Sequence, residues 1–540
     1  MWFLGVISAG AMTAPPAIDP REFGAVGDGQ TLNTAAFNAA VAAAASRGHG
    51  VVAVPPGRFL TGTIYLRSGV ELHLSAGAVI VGSSRLEDYP ENPPPTPTET
   101  PAFKRLLHVY PARLEYGRYA IIAAMGQTDV AITGAGVIEG QGGHPNFSKK
   151  ELRARGYTAD EAHAKRPFGL SFVRCRNVRV EGVTLRDLAS WTQGYLDCDQ
   201  VRIDRVRVDS PVEERNNDGI DIDGCRDVCV RNVEIDSGDD GICLKSSFRE
   251  CEDIVVTDSV VRSRVNALKL GTASNAGFRR IEFSRIKITR APCAGIALQV
   301  VDGGVMEDVV VSDITMNEVG APLFIRLGDR GRKWMRPEDH RVGKLRNISI
   351  SRISARVFTP FDGRPLGGSI SGIPGHVIEN VRLQDVSIEV LRDHSWEETQ
   401  ALHNAVIPEV ESDYPEYSMF GALPAYGLYV RHVRGLALEN VRVSFAQRDF
   451  RPALVCDSVS ELTVDSWQGE SLLSPGGAMI RLKAVQKARL SNLTIQGEAE
   501  ALMRVEAGSD DVVVTATDFR GARERVVRAP GVPPSAVEIR

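Results

Sequence analysis

The sequence predicts an all-β fold: a right-handed parallel β-helix with an N-terminal capping helix and long groove-lining loops. Two observations carry this. Short strand-like phrases rich in Val and Ile return about every 20 to 25 residues over most of the chain, the mark of a solenoid whose turns cover one another's apolar edges. The connections also lack the hairpin turns that four antiparallel strands per propeller blade require.

The elements follow in order. Residues 21–29, Arg-Glu-Phe-Gly-Ala-Val-Gly-Asp-Gly, read as a short strand and a Gly-rich turn without dinucleotide spacing. An Ala-rich helix capped by Asn33 or Thr34 runs through Ala45 and covers the open end of the strand stack. Strands follow at 51–54, 70–74 and 78–81. Residues 88–118, with Pro90, Pro93, Pro94, Pro95 and Pro97, and the charged segment 149–165 read as projecting loops. The repeat is clearest from Ser171 to Val319 and returns in phrases such as Leu-Arg-Asn-Ile at 345–348 and Leu-Glu-Asn-Val at 438–441. Strict alternation places Lys245, Lys269 and Gln299 at corresponding outward positions, with Leu244, Leu270 and Val300 inside. Insertions at 326–342, 352–374 and 390–424 rim a groove.

Composition narrows the function classes. A formal charge of −5, from 63 basic and 68 acidic residues, does not favour a nucleic-acid partner. Hydrophobic content of 43% excludes general disorder, and no stretch reaches the roughly 20 apolar residues of a membrane span. Seven of the eight Cys fall between Cys175 and Cys293, as small residues stacked between turns; Cys225 and Cys229 have zinc-like spacing but no matching second pair.

The chemistry concentrates in Asn-Asn-Asp-Gly-Ile-Asp at 216–221 and Ser-Gly-Asp-Asp-Gly at 237–241. These motifs lie about one repeat apart, so Asp218, Asp239 and Asp240 converge on neighbouring turns of a solenoid. Like charges so gathered push carboxyl pKa values apart, which suits acid/base work without a cofactor. One protonated Asp would donate to a glycosidic oxygen while another activates water from the opposite face. Both Asp239 and Asp240 serve only if the chain bends there. The alternative is that Asn, Asp and Gly simply supply turn conformations.

The order Asn-Asn-Asp-Gly-Ile-Asp, then Ser-Gly-Asp-Asp-Gly-Ile-Cys-Leu-Lys, resembles the polygalacturonase-type glycoside hydrolases of family 28, in the pectin-lyase-like β-helix superfamily. Residues 23–28, 134–142 and Arg166-Pro167 share that resemblance, which spans roughly residues 21 to 465. It implies an inverting hydrolase, with Asp239 as general acid and Asp218 and Asp240 positioning and deprotonating the water. Two departures stand beside it. The family's Gly-His-Gly is replaced by Asn266 and its neighbours, and its Arg-Ile-Lys by Ala297-Leu298-Gln299. Ordinary homogalacturonan is therefore not the expected substrate; another pectic or acidic polysaccharide or oligosaccharide is, with exo action favoured by the many long loops. Substrate-binding candidates are Trp191, Gln193, Tyr195, Asn217, Lys245, Asn266, Lys269, Gln299, Arg326, His376 and His432. No metal and no cofactor are expected. The rivals are a lyase on the same fold, with Lys245 or Lys269 as base, and a noncatalytic glycan-binding β-helix.

Residues 1–18 read as a signal-peptide remnant or tail, 19–465 as the catalytic β-helix, and 466–540 as terminal turns or a small β appendage. A secreted or periplasmic location is expected, with a cytoplasmic one as the alternative.

Overall fold

The computed structural model describes residues 17–89, 119–332, 340–358, 367–403 and 405–540. The apolar stretch at 1–14, the Pro-rich stretch from 90 and parts of two predicted insertions, 333–339 and 359–366, lie outside them.

Three short strands make each turn. Phe168–Val173, Arg176–Glu181 and Thr184–Arg186 are followed by Gln193–Leu196, Asp199–Asp204 and Arg207–Ser210, then by Ile220–Asp223, Arg226–Arg231 and Glu234–Ser237. Each pairs in parallel with its counterpart in the next turn, which makes a right-handed parallel β-helix. In the first strand of successive turns, Ile220, Ile242, Leu268 and Ile296 stack inside, while Asp221, Cys243, Lys269 and Ala297 stack outside. Alternation with period two thus builds a continuous apolar core and, on one outer face, a column of chemically active residues.

The recurrent Asn and Asp of the repeat phrases have a defined task. Asn177, Asp227, Asn232, Asn347, Asn380 and Asn440 all adopt positive φ, the left-handed conformation their short polar side chains tolerate better than most. They turn the chain at the corners. Between Cys251 and Ser471 several strands run unbroken through such corners, as in Gly277–Val300, which bends at Arg280 and Arg285.

Helix α1, Thr34–Ser46, buries Phe37, Ala40, Val41 and Ala44 over the N-terminal end of the stack. The Asn33 side chain makes no cap bond; it accepts from Val26 N and donates to Thr31 O and Leu60 O, tying the end cap to the strands beneath. At the other end the parallel ladder continues across residue 465 within Leu454–Ser471 and on to Val537–Ile539.

Several expectations are corrected. Pro20–Phe23 is a 3-10 helix because Asp19 caps it through Arg21 N, not a strand. The segment 149–165 folds into two short helices, α2 (Lys149–Ala154) and α3 (Ala159–Ala164), the second closed by a reciprocal Thr158/Glu161 cap. Residues 352–357 belong to the strand Lys344–Val357, so the insertion there begins later. All eight Cys are free, and the thiols of Cys198 and Cys225 each accept an N–H from the turn before.

Candidate active site

Asp218 and Asp240 occupy equivalent places in adjacent turns, since Gly219 N donates to Asp240 O just as Thr192 N donates to Asp218 O. One oxygen of each, together with Cys243 Sγ, falls within 4.8 Å of the others. The chain bends between Glu234–Ser237 and Ile242–Ser246, which lets Asp239 and Asp240 share this corner. Bonds to backbone hold the bend: Asp239 Oδ2 accepts from Asn216 N at 2.8 Å, and Asp239 Oδ1 from Asp240 N at 2.9 Å.

The glycines of both motifs serve packing more than turn geometry. A Cβ on Gly219 would come within 2.5 Å of Gly241 O, and one on Gly241 within 2.5 Å of Val261 Cγ1. Neither has a positive φ. Each motif needs Gly after Asp so that turns can close to strand spacing beside the acids.

The carboxyl groups differ electrostatically. Burial raises Asp239, and the neighbouring Asp240 charge raises it further. Burial works the same way on Asp240, but Lys269, Lys245 and a bond from Asn266 outweigh it and hold Asp240 below the usual range. Lys269 Nζ lies 2.8 Å from Asp240 Oδ2, and Asn266 Nδ2 lies 2.8 Å from Oδ1. Asp218 is pushed well up by burial and by Asp221 and Asp239, and its buried Oδ1 has no hydrogen-bond partner among the described residues. Asp221 accepts a hydrogen bond from the Lys245 ammonium, yet burial raises its pKa to about 7. The arrangement therefore sets a carboxyl of raised pKa, Asp239, beside one of lowered pKa, Asp240, the difference that acid/base work uses.

Lys245 and Lys269 are not surface residues. They are 7% and 5% exposed, and each is engaged by a carboxylate, Lys245 by Asp221 with Asp218 at 3.6 Å, and Lys269 by Asp240. They also fail to share one register, since Lys245 pairs with Asp223 but Lys269 with Cys243. Gln299 pairs with Arg326, two residues beyond the Lys269 position.

Trp191 stands at the site, its ring 5.0 Å from that of Phe168 and 4.5 Å from Lys245 Nζ. Both rings line a cleft of about 470 Å³, counting its open part, with Gly194, Asp223, Ser247 and Phe248. Gln193 and Tyr195 are different: strand alternation turns them into the interior, where Tyr195 stacks on Phe172 and its hydroxyl donates to Gln193. Asn217 is fully buried, its amide donating to Leu188 O and Ser190 O. All three side chains are buried, and Tyr195 also borders the cleft.

Three of the remaining candidates, Arg326, Gln299 and His432, anchor a loop. Residues 405–425 lie across the outer face beyond Lys269, where Ile407, Tyr417, Phe420 and Leu423 pack on Ala297, Phe324, Tyr429 and Val455. Arg326 donates to the carbonyls of Gly372, Glu409 and Val410 beneath it, and burial lowers its pKa to about 10. Gln299 Nε2 reaches Pro415 O at 3.4 Å, and His432 pairs with Glu409. His376 is exposed on the turn that pairs Ile373 with His376. Glu416 on this loop also reaches the site, where it interacts with Lys269, Asp240 and Asp239 and its pKa is raised by burial. No local pattern marks it, because long-range packing alone brings it there.

The family model for glycosyl hydrolases family 28 matches residues 110–326, the segment that holds all three aspartates. Over that segment the β-helix is similar to the glycosyl hydrolases of family 28, with a divergent sequence. It is 29% identical over 313 residues to a probable polygalacturonase of Vitis vinifera, covering 55% of this chain and 60% of that protein. It is 26% identical over 260 residues to an exo-poly-alpha-D-galacturonosidase of Dickeya chrysanthemi, with 42% of each covered. The chain thus spans less than two thirds of either relative. An exopolygalacturonase structure from Thermotoga maritima superposes with a TM-score of 0.55 at 24% identity, over 70% of this chain and 88% of that one, and shows the shared fold.

Proposed function

We propose that the protein is an inverting glycoside hydrolase that cleaves a pectic or other acidic polysaccharide or oligosaccharide from one end. The observation that carries this is the pairing of a raised carboxyl, Asp239, with a lowered one, Asp240, on adjoining residues of a bent corner. Asp239 protonates the glycosidic oxygen as the bond to the anomeric carbon breaks. Asp240, held ionised by Lys269, takes a proton from the water that attacks the opposite face. Asp218, held neutral by burial, orients that water by hydrogen bonding rather than deprotonating it.

Exo action is supported by the 405–425 loop, which covers the column of outer residues on one side of the aspartates while, among the described residues, a cleft opens on the Trp191 side. A specificity distinct from a conventional polygalacturonase is supported by Ala297 and Gln299, which sit under that loop and present no cation. The lyase alternative needs a neutral Lys as base. Burial opposes the charge on Lys245 and Lys269, but their carboxylate partners outweigh it and hold both well above the ordinary value.

A product-size time course on a panel of pectic and other plant or algal polysaccharides tests the proposal. Short products from the first minutes onward, without a new ultraviolet-absorbing unsaturated end, agree with it. Early mid-length fragments refute exo action, and an unsaturated product refutes hydrolysis.

A further inference from the structure

Helix α2 opens with a cation in an unfavourable place. Lys149 is its first residue, where the partial positive charge of the helix end disfavours an ammonium. It is half-buried, and of the charges near it Arg166 opposes its own most strongly, followed by support from Glu214 and Asp239 and a smaller opposition from Arg215. Burial and these neighbours bring its pKa down to about 8. Among the described residues no carboxylate oxygen lies within 4.0 Å of its ammonium.

What holds Lys149 is the acid's own support. Its Nζ donates to Asn216 Oδ1 at 2.8 Å and reaches Arg215 O at 3.4 Å, while Asn216 N donates to Asp239 Oδ2. Lys149, Asn216 and Asp239 are all partly accessible, so they form one open lip of the site. The two lysines deeper in the site are already joined to Asp221 and Asp240. A locally costly residue that the scaffold nevertheless keeps fixed marks a place where function overrides stability.

We propose that Lys149 pairs with the carboxylate of an acidic sugar bound across Asp239, and so selects uronate-containing chains. This rests on the glycan-hydrolase reading above. The sugar's carboxylate supplies the counter-charge that the fold omits, and Asn216 fixes the ammonium so that little side-chain freedom is lost on binding.

The test compares binding of two probes to the full chain carrying Asp239→Asn, so that turnover does not consume them. One probe is a size-defined pectin hydrolysate; the other is the same hydrolysate after chemical reduction of its uronate carboxyls. The inference expects the acidic probe to bind about tenfold more tightly, the scale of one charge-assisted contact. Adding Lys149→Gln should abolish that preference, and Lys149→Arg should retain it. A preference that survives Lys149→Gln overturns the inference, as does equal binding, or no binding, of the two probes before Lys149 is changed. Failure of the underlying reading shows separately, as undiminished turnover by Asp239→Asn.

Discussion

Replacing Lys269 with Met tests how the site keeps one carboxylate charged. Lys269 and Asp240 are both about 6% exposed in their side chains and meet at 2.8 Å. Removing one partner of a buried pair costs about 3–5 kcal/mol, because the other charge stays behind uncompensated. Here the two bonds from Asn266 and the charge of Lys245 remain, which places the expected loss near the low end, about 3 kcal/mol. The sign with pH is defined. Asp240 has a lowered pKa in the folded state, so the stability it contributes is present above its unfolded pKa and is lost as pH falls through the folded one. The Lys269→Met penalty should therefore be greatest at neutral pH and shrink in acid, and the acid limb of the rate profile should move to higher pH. Urea denaturation of the wild type, Lys269→Met, Asp240→Asn and the double variant forms a double-mutant cycle that isolates the pair. A loss under about 1 kcal/mol, or one that does not change with pH, would refute the reasoning.

Three further outcomes are expected. Asp239→Asn should lower kcat on the natural linkage about 10²- to 10⁴-fold, and much less on an aryl glycoside whose leaving group needs no proton; equal losses on both would remove its role as acid. Asp218→Asn should reduce activity yet raise the melting temperature at neutral pH. The raised folded pKa of Asp218 means that stability falls as pH climbs from the unfolded value, so the gain should vanish near pH 3. Arg326→Ala should loosen the 405–425 loop by removing its carbonyl contacts, and longer products should then appear in size profiles.

The fold was legible because the β-helix repeats one physical problem in every turn. Val and Ile at alternate positions, with Asn or Asp at many corners, state the same solution many times. The three aspartates were legible for the same reason, since positions one turn apart become neighbours. Individual side-chain directions were less so. Gln193 and Tyr195 lie only two and four residues from Trp191, yet alternation turns them inward, and the strand boundary that fixes the phase is not marked in sequence. Alternation places Lys245 and Lys269 outward, but their burial and their pairing with Asp221 and Asp240 come from contacts between turns that alternation alone does not specify. Arg326, Gln299 and His432 looked like groove residues because the loop they hold is distant in the chain. Glu416 and Lys149 arrive at the site on insertions, where no repeat predicts placement.

The central claim is that Asp239 and Asp240 act from opposite faces of the sugar. The most direct measurement is proton nuclear magnetic resonance of the first product formed, read before mutarotation. The account predicts a new reducing end of anomeric configuration opposite to the linkage cleaved. A first product with the configuration retained would contradict it.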